Sequence, residues 1–328
     1  MYVGALNSVF KSIQKKHAGR LLYLPSKISI ETGNICNLSC PLCPTNDKEQ
    51  RGVKTGFLSF EDFKIIFDKI KPFVKTIDLF SWGEPFLSKN IGKMIKYAKE
   101  KKPSLRIFID SNLNVLTDDH MDAVVRHGLD VLKVSCDGAT QEVYEKYRIG
   151  GDINKGMTNI DRLLKKKMEL GSEKPRLIWK YLVFKHNQSE VDQARRKALE
   201  MGLEFEASGM RVDCGKEIFE KVGDSVERDR EWIPESPEYN NYKDLEAGKK
   251  FCEKPWRTLT VNWDGECVPC GAIYDCARYS FGNLLGQDFT RVWNSEKFVL
   301  ARQIISDKAP AKPDIICSIC KENGYQFF

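Results

Sequence analysis

The sequence predicts an α/β fold: an open, partial (β/α)6 barrel followed by a small C-terminal unit of β-hairpin and helix. Three observations predict it. Strand-like and helix-like segments alternate from Lys27 to about Phe205, which implies parallel strands with helices outside. The alternation runs to six units, too few for a closed eightfold barrel. Cysteines then collect near the two ends, nine of the eleven falling at 36–43 and 252–320.

The elements follow in order. Residues 1–26 carry Lys11, Lys15, Lys16 and Arg20 among apolar residues and read as an N-terminal helical segment docked on the body. They show neither the apolar core nor the small-residue cleavage site of a signal peptide. Lys27–Thr32, apolar at alternate positions, predicts a strand. Ser59 caps a predicted helix, with Asp62 three residues on and Phe60, Phe63, Phe67 and Ile70 at helical spacing. Thr76–Phe80 predicts a buried strand and Ile91–Lys101 a helix that stops before Pro103. Arg106–Asp110 predicts a strand, and Thr117–His127 a helix closed by Gly128. Val131–Cys136 predicts a strand, with helices at Gln141–Tyr147 and Asn154–Leu170. A strand at Arg176–Phe184, a helix at Ser189–Met201 ended by Gly202, and a short strand at Leu203–Glu206 complete the core.

The core thus spans 27–214. Residues 215–250, polar and broken by Pro234 and Pro237, read as a connector, and the C-terminal unit occupies 251–328. There Leu259–Trp263 and Cys267–Cys270 flank Asp264-Gly265-Glu266, a hairpin signal, and Asp288–Ile305 predicts one helix.

Composition excludes several classes. The 328 residues carry a net charge of +6 spread along the chain. The densest basic run, Lys165-Lys166-Lys167, follows Leu163 and Leu164 on a helix and reads as a solvated face, so no nucleic-acid partner is expected. No apolar run approaches the roughly 20 residues of a membrane span. Eleven cysteines in a chain this long point to metal binding in a reducing cytoplasm and not to a disulfide framework.

Cys36, Cys40 and Cys43 lie just past the first strand, in Cys36-Asn-Leu-Ser-Cys40-Pro-Leu-Cys43-Pro44. Soft thiolates select iron–sulfur clusters or zinc. Three ligands at this spacing suit a 4Fe-4S cubane and leave its fourth iron open. A zinc knuckle is the alternative, but zinc wants four ligands, and none of His17, His120, His127 and His186 is near in sequence.

The triplet at the opening of a partial barrel resembles the radical S-adenosylmethionine (SAM) superfamily, over most of the chain. The resemblance implies that Cys36, Cys40 and Cys43 hold a SAM-binding 4Fe-4S cluster, with SAM on the open iron. Leu42 stands where the family usually has an aromatic. Ser81-Trp82-Gly83-Glu84-Pro85 resembles the family's Gly-Gly-Glu-Pro segment, so Gly83 and Glu84 would face the SAM ammonium, with Trp82 in place of the first glycine. Ser111 and Asn112 follow the third strand, where relatives contact SAM. Ser135 and Asp137 follow the fourth, where relatives bind the ribose. Arg148 resembles an arginine that meets the SAM carboxylate, and after the fifth strand Phe184 and Asn187 would pack near the adenine.

The later cysteines resemble the SPASM or twitch extension of many such enzymes. Cys252 precedes the hairpin, Cys270 closes it, and Cys317 and Cys320 form a final pair. The resemblance implies one auxiliary 4Fe-4S cluster on these four. A zinc ribbon on the same four remains open. Cys267 and Cys136 read as small buried residues. Cys276 reads as a spare, and Cys214 as a loop cysteine whose thiol could donate a hydrogen atom to a substrate radical.

The mechanism so implied is reductive cleavage of SAM to a deoxyadenosyl radical that abstracts hydrogen. The reductant would be flavodoxin or ferredoxin. Four cysteines would saturate the auxiliary cluster, which favours electron transfer and hence dehydrogenation of a polar small molecule, such as a sugar or aminocyclitol. Peptide or protein modification is the second reading, weakened because only 26 residues precede Lys27. A non-catalytic iron–sulfur carrier or scaffold is the third; it would need no open iron.

Overall fold

A computed structural model describes residues 19–47, 53–211, 221–243, 252–273, 275 and 277–324. The readings made for residues 1–18, Cys214 and Cys276 lie outside the described residues. Six strands run in chain order, each parallel to the next: β1 (Lys27–Ile30), β2 (Thr76–Asp78), β3 (Arg106–Ser111), β4 (Val131–Ser135), β5 (Arg176–Val183) and β6 (Glu204–Gly209). The hairpin strands β7 (Thr260–Val261) and β8 (Cys267–Val268) are antiparallel. β7 also pairs in parallel with β1, through Ser29 with Thr260 and Ile30 with Val261. One eight-stranded sheet results, in the order β6-β5-β4-β3-β2-β1-β7-β8, so the C-terminal hairpin extends the barrel sheet beyond its first strand.

The helices of the core are α1 (Phe60–Ile70), α2 (Ile91–Lys101), α3 (Asp118–Arg126), α4 (Gln141–Tyr147), α5 (Ile153–Glu169) and α6 (Val191–Glu200). The caps that predict them form. Ser59 Oγ accepts the Asp62 N–H at 3.0 Å, and Thr117 and His120 close a reciprocal capping box. The connector contributes α7 (Val222–Arg228), and the C-terminal unit α8 (Lys254–Arg257), α9 (Phe289–Trp293), α10 (Glu296–Ile305) and α11 (Ile316–Glu322). Three expectations are corrected. The helix expected over 288–305 breaks in two at Asn294, whose side chain accepts from Leu21 N–H and donates to Leu21 C=O. Ser295 then caps α10. The segment after Asn187 begins as a 3-10 turn before α6, and β6 runs on to Gly209 because its whole length pairs with β5.

Alternation along each strand sorts the side chains. Ile28, Ile77, Ile107, Ile109, Leu132, Val134, Trp179 and Tyr181 are buried beneath the helices. The opposite face lines the barrel and is polar. Lys27 pairs with Asp78 at 2.9 Å, Arg176 with Glu204 at 2.6 Å and Lys180 with Asp110 at 2.6 Å, and Lys133 with Glu206.

Candidate active site

The site is built at the carboxyl ends of the parallel strands, where open α/β sheets place ligands. β1 leads into the cysteine loop. Cys43 N–H donates to Cys40 C=O at 3.0 Å, and Leu38 N–H to Cys36 Sγ at 3.4 Å. Cys36, Cys40 and Cys43 open into one cavity of about 240 Å³, whose walls also include Gly83, Glu84, Ser111, Asn112, Ser135 and Arg148. Burial pushes the Cys36 thiol up to about 11 and the Cys40 thiol to about 12. A metal that binds thiolate would reverse this. Both feel the charge of Cys43, and Cys40 also that of Cys36, in keeping with three thiols on one cavity.

The turn after β2 faces the loop. Gly83 has φ +84°, and a Cβ there would lie 2.4 Å from Gly33 C=O, so only glycine fits. Glu84 lines the cavity, but its carboxylate is already engaged. It accepts from Ser111 Oγ at 2.6 Å, Asn112 N–H at 2.9 Å and Phe86 N–H at 3.1 Å, while burial raises its pKa to about 7. Glu84 thus stands on the cavity wall and also ties the β2 turn to the end of β3. Asn112, also on the wall, is braced on both sides, its Nδ2 donating to Asn37 Oδ1 at 3.0 Å and its Oδ1 accepting from Asn114 N–H at 2.9 Å. Asn37 lies inside the cysteine loop, so this bond locks loop to barrel.

Two expected contacts do not reach the cavity. Asp137 is buried, with one oxygen 2.6 Å from Arg148 Nε and the other accepting from Leu182 N–H at 2.7 Å. It holds Arg148 and, fully buried, does not face the cavity. Asn187 is also buried. Its amide donates to Asp137 and Leu182 carbonyls at 2.9 and 3.0 Å and accepts from Phe184 N–H at 2.7 Å, so it fixes the turn after β5. Phe184 packs on Tyr147, centroids 4.1 Å apart, beside the cysteine loop. Arg148 does line the cavity, and its charge is felt at Cys40.

The sequence reading missed Asp110 and Lys180. Both line the cavity, paired at 2.6 Å, and Ser135 Oγ donates to Asp110. The β4–β5 register aligns Ser135 with Lys180. Their signal was a charged residue at an inner position of a strand otherwise apolar.

Cys252, Cys270, Cys317 and Cys320 also converge. The Cys317 thiol, pushed upward chiefly by burial, feels the charges of Cys270, Cys320 and Cys252. Cys267 is buried apart from them, its Sγ 3.5 Å from Gly265 C=O, and Cys136 Sγ points to Gly138 C=O at 3.7 Å. Among the described residues no three His, Cys, Asp or Glu side chains close on a point for a single metal ion. Both cysteine groups are donor sets of the soft kind that iron–sulfur clusters take.

Comparison with known proteins agrees with this layout. A radical SAM superfamily model matches residues 30–172, and a SPASM model, an iron–sulfur cluster-binding domain, matches 252–321. The chain is 24% identical over 308 residues to the tungsten-containing aldehyde ferredoxin oxidoreductase cofactor-modifying protein of Pyrococcus furiosus, covering 84% of this chain and 82% of that one. It is 24% identical to the AdoMet-dependent heme synthase of Methanosarcina barkeri, over 92% of each. It is 20% identical to the S-adenosyl-L-methionine-dependent 2-deoxy-scyllo-inosamine dehydrogenase of Niallia circulans, over 92% of this chain and 94% of that one. The fold matches BtrN in complex with AdoMet and 2-DOIA (TM-score 0.54, 19% identity, 90% of this chain and 93% of that one). It also matches Streptococcus suis SuiB bound to its precursor peptide SuiA (TM-score 0.64, 12% identity, 97% and 75%). The chain belongs to the radical SAM superfamily and carries a C-terminal SPASM iron–sulfur domain.

Proposed function

We propose that this enzyme dehydrogenates a polar small molecule, a sugar or aminocyclitol, with Cys36, Cys40 and Cys43 holding the SAM-binding cluster and Cys252, Cys270, Cys317 and Cys320 the auxiliary one. When bound, the first cluster supplies the electron that splits SAM into methionine and the hydrogen-abstracting deoxyadenosyl radical, and the second takes the electron that the substrate gives up. The chain's own side chains bind and orient. Arg148, aimed by Asp137, offers its guanidinium to the SAM carboxylate. Ser111 and Asn112 hold the wall through Glu84. The observation that carries the reading is the floor of the cavity. Asp110, Ser135 and Lys180 present a carboxylate, a hydroxyl and an ammonium, which suit hydroxyl and amino groups and would desolvate badly against an apolar substrate. The likeness to a dehydrogenase of an aminocyclitol along nearly its whole length supports the same class.

The balance is a two-electron oxidation. One C–H hydrogen goes to deoxyadenosine, one electron to the auxiliary cluster and one hydroxyl proton to solvent, leaving a carbonyl. The test is anaerobic turnover with carbon-deuterated aminocyclitols and sugars, a one-electron reductant and SAM. Deuterium in deoxyadenosine, one SAM consumed per product and a product two mass units lighter per unlabelled substrate are expected. SAM recovered intact, or a product at the substrate's oxidation level, would sink the proposal. So would modification of a co-purifying peptide with no small-molecule turnover.

A further inference from the structure

Trp82 stands where the family segment has its first glycine, and the structure shows where its side chain goes. The indole Nε1–H donates to Ile273 C=O at 3.2 Å, three residues beyond Cys270. Its neighbour Ser81, on the cavity wall, lies against Gly271, whose Cβ would sit 3.8 Å from Ser81 Oγ. The Trp82 N–H donates to Glu31 Oε1 at 3.2 Å, and Glu31 Oε2 takes the Trp263 N–H of the hairpin at 3.5 Å. Trp263 in turn packs against the segment that returns from the cysteine loop: a Cβ on Gly56 would meet its ring at 2.5 Å. On the far side of the turn, Glu84 N–H donates to Ile35 C=O at 2.9 Å, one residue before Cys36. The 81–84 turn is thus wedged between the chain leaving Cys270 and the chain entering Cys36.

We propose that Trp82, anchored through Glu31, is a positioning residue that couples the C-terminal cysteine site to the SAM cavity, so that emptying the auxiliary site weakens SAM binding. Interior packing transmits displacement because it has no slack. A metal centre on Cys270 fixes residues 271–273, these fix the indole, and the indole fixes the cavity wall and the entry to the first cysteine loop. Any such coupling is reciprocal, so bound SAM also steadies the auxiliary site. A glycine at position 82 would remove the indole link from Ile273 to the turn.

The inference rests on the cluster assignments of the proposed function and not on its substrate. The experiment uses reconstituted full-length enzyme in four forms: wild type, Cys317→Ala, Trp82→Phe and the double variant. SAM affinity is read from the change that SAM produces in the EPR signal of the reduced N-terminal cluster. Cys317→Ala is expected to weaken SAM binding about tenfold in the wild type, a typical coupling between sites. In the Trp82→Phe background, which keeps the ring and removes the N–H, it is expected to weaken binding less than about twofold. Equal fold-losses in both backgrounds, or no loss in Cys317→Ala, overturn the coupling. Iron and sulfide counts on the same samples report separately on the cluster assignment: about four irons lost in Cys317→Ala uphold it whatever the affinities do. If the double variant does not fold, hydrogen exchange in Cys317→Ala decides. Faster exchange at 80–84 with β4 unchanged supports the proposal, and unchanged exchange at 80–84 overturns it.

Discussion

Asp137 accepts a hydrogen bond from Arg148 Nε at 2.6 Å, and among the described residues neither Nη group has a hydrogen-bond partner, while Arg148 stands at the wall of the cavity into which the three cysteines open. Asp137 is itself fixed by Leu182 N–H at the end of β5. The guanidinium is therefore aimed before any ligand arrives, which lowers the ordering cost of binding.

Removing the aiming group should cost SAM affinity without removing the arginine. Asp137→Ala is expected to weaken SAM about tenfold or more, the weight of one charge-assisted hydrogen bond. Arg148→Lys should not recover what Arg148→Ala loses, because an ammonium cannot serve Asp137 and a carboxylate in the same planar geometry. Calorimetric titration of SAM into each reconstituted variant checks both. Wild-type affinity in Asp137→Ala would show that Arg148 finds its place unaided.

Asp110 and Lys180 yield a second prediction. Lys180→Met should leave Asp110 without its cation in a buried position and cost about 1–2 kcal/mol of stability, less than a fully buried pair because the ammonium is partly in water. Adding Asp110→Asn should restore most of it. Equilibrium denaturation of the three variants measures the coupling. Substrate KM should rise in Lys180→Met more than SAM affinity falls. A pure SAM defect would remove the pair from the substrate floor.

These two cases mark how far the sequence could be read. The cysteine spacings, the caps at Ser59 and Thr117 and the glycine at position 83 are local signals, and each forms what local chemistry demands. The strand ends carrying Ser111, Asn112 and Ser135 were legible for the same reason. The direction of a polar side chain after a strand end was not. Glu84, Asp137 and Asn187 turn into the fold because backbone donors from other units await them, and those donors are fixed by tertiary contacts. Asp110 and Lys180 needed the register of β3, β4 and β5 before they could be placed on one face. The pairing of β1 with β7 joins Ser29 to Thr260, a separation that no local pattern reports.

Arg302 yields a third prediction. It is fully buried and donates to the carbonyls of Pro255 at 2.9 Å, Trp293 at 2.8 Å and Gly19 at 3.1 Å, with its guanidinium 4.5 Å from the Trp293 ring centroid. Burial lowers its pKa to about 9. One side chain thus ties the chain just after Cys252 to α9 and to the segment entering β1. Arg302→Met should leave three carbonyls unpaired and cost roughly 3 kcal/mol or more. The defect should appear as loss of iron from the C-terminal site. Iron counting together with thermal melting would show it, and full iron content with an unchanged melting temperature would contradict it.

Glu31 gives the protein a pH dependence of stability. Burial raises its folded-state pKa to about 8, against 4.5 for the ordinary carboxyl. Between those two values the folded protein keeps a proton that the unfolded chain has released. Stability from this group is therefore fully present below about pH 4.5 and falls as pH rises, by about 1.4 kcal/mol per pH unit, until it levels off near pH 8. Glu31→Gln removes the titration. The variant should melt close to the wild type at pH 5, with any lost hydrogen bond appearing as a constant offset, and should gain on it steadily toward pH 8. Melting of both proteins at half-unit intervals across that range measures the difference. Parallel curves would mean that Glu31 is ionised throughout, held by Trp82 and Trp263 N–H groups strongly enough to offset its burial.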